Sequence, residues 1–378
     1  HTHSGGVFWP DRVPLPGGEL IPAYLEELAE KLSGAAREAV SNLAPVTISY
    51  ARGTCALAAN RDYWDDQAAL YACGYNPDAP ADDTVVVARV TADSTEQILA
   101  TLVNYACHPT TLAWKNTLIS PDYVGALRED VERITGAPCI FAQGACGDLG
   151  PRRGYGGDPS GADRNGHQLA GAALSALASL GQPGTDFGYV GPVISGATLG
   201  DWQDVPQTAE RVQETTRVAG GSYVVELPLK AIPSRDELNR ELAEWESRQR
   251  AADEQGDRGA ARDYGARAER ARRWLGRIDD VPAGSTYPFE FSVWRLGDAV
   301  WVTAEGEPYN LLQTELRRRF PELTILVSPL SGGGAALYLL PLDRYGKGLY
   351  QEEPSLLGPG CLEEVIDAIS ERVSQARS

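Results

Sequence analysis

The sequence predicts an α/β protein: a mixed, twisted β-sheet flanked by helices, with a charged helical hairpin inserted at 234–277. Three observations carry this prediction. Runs rich in β-branched residues, bounded by polar clusters, alternate with segments whose apolar residues recur at helical spacing. A glycine-rich loop follows a short apolar run and precedes a helix, the strand, loop, helix order of layered α/β proteins. Residues 234–277 exchange most apolar positions for Arg, Glu, Asp and Ala, the composition of a solvated helical pair.

Taken in order, residues 1–18 read as a Gly/Pro-rich loop. From 19 to 42, Leu20, Tyr24, Leu25, Leu28, Leu32, Ala35 and Val40 fall near helical spacing, and a helix is expected. Strands are expected at 46–51, 84–91 and 97–107. A helix should follow Pro121 as far as Ile134, then an apolar strand at 139–142, a glycine-rich loop at 143–161 and a helix at 166–180. In 234–277 the few apolar anchors are Leu238, Leu242, Trp245, Tyr264 and Trp274, with a turn near Gly256 and Gly259; the pair reads as a solvated insertion, or alternatively as a lid or partner-binding arm. Strands at 289–296, 299–304 and 323–328 and helices at 308–320 and 362–376 complete the chain.

The length of 378 residues allows two or three domains or one large one, and 43% hydrophobic with 23% charged residues is globular composition. No apolar run approaches the ~18 residues of a membrane span. A net charge of −18 argues against nucleic acid or an anionic membrane as partner, because both require clustered Lys and Arg. A small or neutral ligand is expected instead. The six cysteines form no CxxC pair and are too sparse for a disulfide scaffold, so reduced, mostly buried thiols are expected. With no visible signal peptide they point towards the cytoplasm, with export left open. There is no methionine and the sequence starts at His1, which leads us to expect a chain processed or shortened at its start.

The chemical signal lies in the four histidines. In His1-Thr2-His3-Ser4-Gly5-Gly6, an extended backbone would aim both imidazoles the same way, and a shared metal is the economical reading; two exposed or hydrogen-bonded histidines are the bland one. His108 lies at the end of a predicted strand in Asn104-Tyr105-Ala106-Cys107-His108-Pro109, where a side chain can enter a cleft. His167, in a predicted helix beside Asn165 and Gln168, reads as structural.

These residues and others in order along the chain resemble the neutral ceramidases and their shorter bacterial relatives, zinc-dependent amide hydrolases. His1-Thr2-His3-Ser4-Gly5 is similar to the family's THTHSGP, Asn60-Arg61 to its NR element, and Asn104 to Pro109 to NxxxHP. Ser120 to Gly125 is similar to SxDxxG, Phe141 to Asp148 to FxQGxxGD, and Gly306-Glu307-Pro308 with Leu316-Arg317 to PGE and its LR. Tyr338-Leu339-Leu340-Pro341, with Tyr345 and Tyr350-Gln351-Glu352, resembles the tyrosine-rich segment that closes the catalytic domain. The resemblance implies one zinc ion held by His1, His108, Glu307 and Tyr338, with His3 and Arg61 as flanking catalytic groups and Asp122 and Asp148 supporting the ligands. It also implies a single catalytic domain over 1–378 that hydrolyses an amide with metal-activated water.

Two departures shape that expectation. The family's GDxSP serine is replaced in Gly147-Asp148-Leu149-Gly150-Pro151, which removes a hydroxyl at 150, and full-length ceramidases carry an additional C-terminal domain, whereas this sequence stops at Ser378 soon after the catalytic block. A small or non-ceramide N-acyl amide is therefore the expected substrate. The family's first strands normally precede the His1 motif, so a separate N-terminal segment or a second copy is expected to cover the open sheet edge. Two rival readings stand beside this one. An N-terminal histidine can chelate copper through amine and imidazole, with His108 as second ligand and Tyr338 nearby, in an oxidative enzyme; or the chain is a non-catalytic binding protein that keeps the fold.

Overall fold

A computed structural model describes residues 1–332 and 336–377. The first half runs α1 (Ile21–Ser41), β1 (Val46–Thr54), β2 (Ala58–Asn60), the hairpin β3 (Asp62–Asp65) and β4 (Leu70–Cys73), β5 (Thr84–Ala92), β6 (Ile98–Tyr105), α2 (Tyr123–Thr135), β7 (Cys139–Gln143), β8 (Leu149–Pro151) and α3 (Pro159–Ala178). Four of these strands form a sheet in the order β1-β5-β6-β7, antiparallel except for the parallel β6/β7 pair. Helix α2 supplies the crossover that a parallel pair requires.

The second half runs β9 (Thr185–Ile194), β10 (Thr198–Pro206), α4 (Ala209–Thr215), β11 (Val218–Pro228), α5 (Arg235–Glu254), α6 (Arg258–Arg277), β12 (Thr286–Leu296), β13 (Ala299–Ala304), β14 (Glu307–Pro308), α7 (Leu311–Arg319), β15 (Thr324–Ser328), β16 (Tyr338–Leu339) and α8 (Cys361–Arg377). A second sheet has the order β11-β12-β13-β15, with β13 and β15 parallel.

The α/β class and the mixed pairing are those expected, and eight strands divide between two four-stranded sheets stacked face to face, while the other eight among the described residues form two-stranded pairs. Side-chain alternation makes this possible, since successive residues of a strand face opposite layers. In β5, Val85 and Val87 join the core under α2 and α3, whereas Val86 and Ala88 face the other way and meet Ala299 and Leu326 of the second sheet. In β13, Val300 and Val302 point to the core capped by α8. Two strong runs buried on both faces thus give four layers: helices, sheet, sheet, helices. Asn104 of β6 fastens the sheets by donating from Nδ2 to Ala142 O in its own sheet and Val327 O in the other, both at 2.9 Å.

Residues 234–277 form α5 and α6, antiparallel and joined across Gly256, whose φ of +73° makes the turn. Ser234 and Glu237 close a capping box at the start of α5. The pair is not wholly solvated. Leu238 and Trp274 are buried, Trp274 Nε1 donates to Glu353 at 2.8 Å, and Arg277 lies over the Trp274 ring and donates to Pro354 O. The hairpin is thereby tied to the segment that carries Tyr350. Five of the six cysteines are buried and all six are free. No helix among the described residues is long and apolar enough to cross a membrane.

Candidate metal centre

Three loops reach one point, each three residues beyond the C-terminal end of a strand. His108 follows β6, Cys146 follows β7, and Glu307 follows β13. Tight glycines let the loops close. A Cβ at Gly144 would lie 2.9 Å from the Ala106 backbone, and one at Gly147 would lie 2.5 Å from Glu307 O. Parallel pairing of β14 with β16 sets Glu307 beside Tyr338. Gly306 makes the turn into β14 at φ +65°, where its missing Cβ would stand 2.3 Å from Leu337 O. The N-terminal segment is fastened alongside, with Thr2 Oγ1 donating to Ser120 O at 2.7 Å and His3 N to Pro109 O at 3.4 Å.

His108 is fully buried. Its Nδ1 lies 2.6 Å from Cys146 O and its Nε2 lies 2.9 Å from Glu307 Oε2. His1 Nε2 stands 3.7 Å from the same carboxylate oxygen and 3.4 Å from His3 Nε2. The ligand atoms of the three imidazoles all fall within 4.8 Å of one another. Arg61, 3% exposed, donates from Nη2 to Gly147 O at 2.8 Å and to the Tyr338 hydroxyl at 3.3 Å. All six residues named as zinc ligands or catalytic neighbours therefore share one site, and His3 is as near the others as the proposed ligands are.

Asp122 and Asp148 support the loops without touching an imidazole. Asp122, buried at φ +56°, accepts from Leu112 N and Tyr123 N, so it closes the loop after His108 onto the start of α2. Asp148 accepts from Asn310 N at 2.6 Å and from Asn60 Nδ2 at 3.2 Å, linking the Arg61 segment to the turn after Glu307. Burial pushes the Asp148 carboxyl up to about 6. His167 lies elsewhere, on α3, where its Nδ1 is 2.6 Å from Asp130 Oδ2 in an exposed pair with α2.

The electrostatics suit a cation. Burial lowers the proton affinity of His108 and of His3, the latter to about 4, and both are neutral at pH 7. Burial opposes the Glu307 charge, but His108, Tyr338 and Arg61 outweigh it and keep its carboxyl below the ordinary value. A neutral His108 has one N–H, and Cys146 O and the Glu307 carboxylate face its two nitrogens. One nitrogen lone pair then confronts a carboxylate lone pair or a carbonyl, a conflict that a shared cation resolves. Neutral imidazoles, a carboxylate and a phenol are N and O donors of the type zinc accepts.

Several neighbours, Asp62, Tyr309, Cys73 and Tyr155, carry no local signal in the sequence, whereas Tyr350 and Gln351 lie in the tyrosine-rich segment. Asp62 accepts from Tyr309 OH at 2.9 Å and Gln351 Nε2 at 2.8 Å behind Arg61, and Gln351 also reaches Gly147 O. The ring of Tyr350 stands 5.9 Å from that of Tyr338. Cys73 Sγ, at the end of β4, lies 3.2 Å from the Tyr155 hydroxyl.

No protein-family model and no curated protein matched the sequence. Solved structures did. Neutral ceramidase from Pseudomonas aeruginosa superposes with a TM-score of 0.54 at 15% identity, over 90% of this chain and 54% of that one. The chain has the neutral ceramidase fold. A ceramidase complexed with C2 gives the same TM-score at 14% identity, over 90% of this chain and 55% of that one. This chain thus spans about half the length of the ceramidases it matches. Their fold is retained at low identity because a two-sheet core needs apolar alternation rather than particular residues.

Proposed function

We propose that this protein is a zinc-dependent hydrolase of an amide bond in an N-acyl compound, with a small or non-ceramide substrate. The observation that carries the reading is the meeting of His1 and His3 of the N-terminal segment with His108 and Glu307, which follow β6 and β13, beside Tyr338 and Arg61. Likeness of fold to ceramidases agrees with it.

In this reading His1, His108, Glu307 and Tyr338 hold the ion. Zinc bound there would supply a Lewis acid for the amide carbonyl and a water competent as nucleophile near pH 7. The Nδ1 of His108 is fixed by Cys146 O, which orients the ring and leaves Nε2 to the ion. His3, which flanks the three-imidazole cluster, would hydrogen-bond the developing oxyanion or pass a proton to the leaving amine. Arg61 stays charged in spite of its burial, sustained by Tyr338, Cys73 and Tyr155, and its N–H groups stabilise negative charge developing on the acyl oxygen. The residue at 150 has no hydroxyl, so no serine at that position forms an acyl-enzyme.

Metal analysis of purified protein by mass spectrometry tests the reading, together with hydrolysis of a fluorogenic N-acyl aminocoumarin amide. About one zinc per chain is expected, with activity lost to a chelator and recovered with zinc. Stoichiometric copper, or an acyl adduct trapped on Ser or Cys, would overturn it.

A further inference from the structure

Gly150 lies on β8, paired with Ala59 of β2, and leaves space beside Arg61. A Cβ built there would stand 3.6 Å from Thr110 Oγ1 and 3.8 Å from Arg61 Cδ, ordinary contact distances with no clash. The two groups bounding this space share a property. Thr110 is 5% exposed and Arg61 is 3% exposed, and neither Thr110 Oγ1 nor Arg61 Nε has a hydrogen-bond partner among the described residues.

Buried polar atoms seldom go without a partner, and a bridging water is the ordinary remedy where two of them line a space of this kind. Both groups are firmly placed. Thr110 N donates to His108 O, and Thr110 O accepts from Tyr155 N, each at 2.9 Å. Arg61 N donates to Asp148 O at 2.9 Å, and its far Nη2 is engaged by Gly147 O and Tyr338 OH. The guanidinium is therefore held at its tip and not at Nε, and a partner at Nε would fix its plane.

We propose that Thr110 is a positioning residue: through one buried water in the space at Gly150, its hydroxyl accepts from Arg61 Nε and holds the guanidinium plane beside Tyr338. A direct Thr110–Arg61 bond is not available in this arrangement, and a hydroxyl on residue 150 would do the work of the water. The proposal rests on the reading of Arg61 as a group acting on the acyl oxygen, but its structural half stands apart from activity.

The test combines crystallography of the zinc-loaded protein with kinetics on the aminocoumarin amide. A water within hydrogen-bond distance of both Thr110 Oγ1 and Arg61 Nε is expected in the wild type, replaced by the introduced hydroxyl in Gly150→Ser. Thr110→Val should rotate the guanidinium and lower kcat about tenfold with little change in KM, the loss expected for one hydrogen bond to a charged group. Thr110→Ser should retain the rate, and adding Gly150→Ser to Thr110→Val should restore it to within about threefold. Absence of the water, or a Thr110→Val protein with unaltered Arg61 and unaltered rate, would overturn the proposal. If the wild type is inactive on the amide, the functional reading fails, and the water and the Arg61 orientation in Thr110→Val still decide this one.

Discussion

Replacing Gly306 with alanine tests whether the Glu307–Tyr338 pairing is what places two of the proposed ligands. At φ +65° an L-residue suffers left-handed strain of about 1–2 kcal/mol. The new methyl would also stand 2.3 Å from Leu337 O and 3.2 Å from Leu339 Cδ1. That carbonyl cannot swing away freely, because it already accepts from Glu307 N at 2.6 Å. Relieving the overlap must part β14 from β16, at the ~1–3 kcal/mol typical of overpacking, for a total of about 2–5 kcal/mol. Gly136, the C-cap of α2, supplies an internal control: its φ is +67°, yet a Cβ there meets nothing within 4 Å. Gly136→Ala should therefore cost only the strain, about 1–2 kcal/mol. Urea denaturation of both variants isolates the steric part, and zinc titration calorimetry should show Gly306→Ala binding about 10–100-fold more weakly, as when the support of a ligand is lost. Equal destabilisation by the two substitutions, with zinc affinity unchanged in Gly306→Ala, would refute the reasoning.

Three further outcomes are expected. His108→Ala should abolish zinc binding in equilibrium dialysis and cost about 1.5–3 kcal/mol, since it removes the imidazole that faces the buried Glu307 carboxylate, whereas His167→Ala, at an exposed pair, should change stability by less than about 1 kcal/mol and leave zinc binding intact. Asp148 binds its proton more tightly folded, at about 6, than unfolded, so its contribution to stability is greatest at low pH and is lost as pH rises through that range; the stability difference between wild type and Asp148→Asn should fall by about 2 kcal/mol from pH 4 to pH 7 in denaturant titrations. Removing metal with a chelator should lower the melting temperature and zinc should restore it, by about 4 kcal/mol at a thousandfold excess over Kd; coincident melting curves would count against a metal site.

How much of this was legible depended on how local each signal is. The HxH repeat and His108 at a strand end could be read directly, because two imidazoles at i and i+2, or one beyond an apolar run, stand out in a chain with four histidines. Glu307 and Tyr338 could not. Each is one residue of a common type in a two-residue strand, too short for any period-2 pattern, and only the ordered resemblance pointed to them. Asp62 and Gln351 are 289 positions apart and meet only in the fold. Among the elements, 185–206 hid two strands because Gly188, Gly191 and Pro192 break the β signal. The division into two sheets was hidden as well, since a run such as Val85 to Ala88 looks equally apolar whichever layer each residue faces.

That division explains the placement of the site. The layers meet through Val86, Ala88, Leu102, Ala299 and Leu326, and Asn104 hydrogen-bonds across them. His108 follows β6 of one sheet, Glu307 follows β13 of the other and pairs with Tyr338 in the short β14/β16 sheet, and Arg61 lies between β2 and β3. An ion bridging His108 and Glu307 would join the sheets directly, so metal affinity and inter-sheet packing are two measures of one contact. A substitution that shifts the layers, such as Leu102→Ala, would weaken the site from a distance with every ligand still in place. Conversely, zinc would stabilise the layers against such a cavity, and the ligand-bound protein would tolerate substitutions in this contact that the metal-free protein does not.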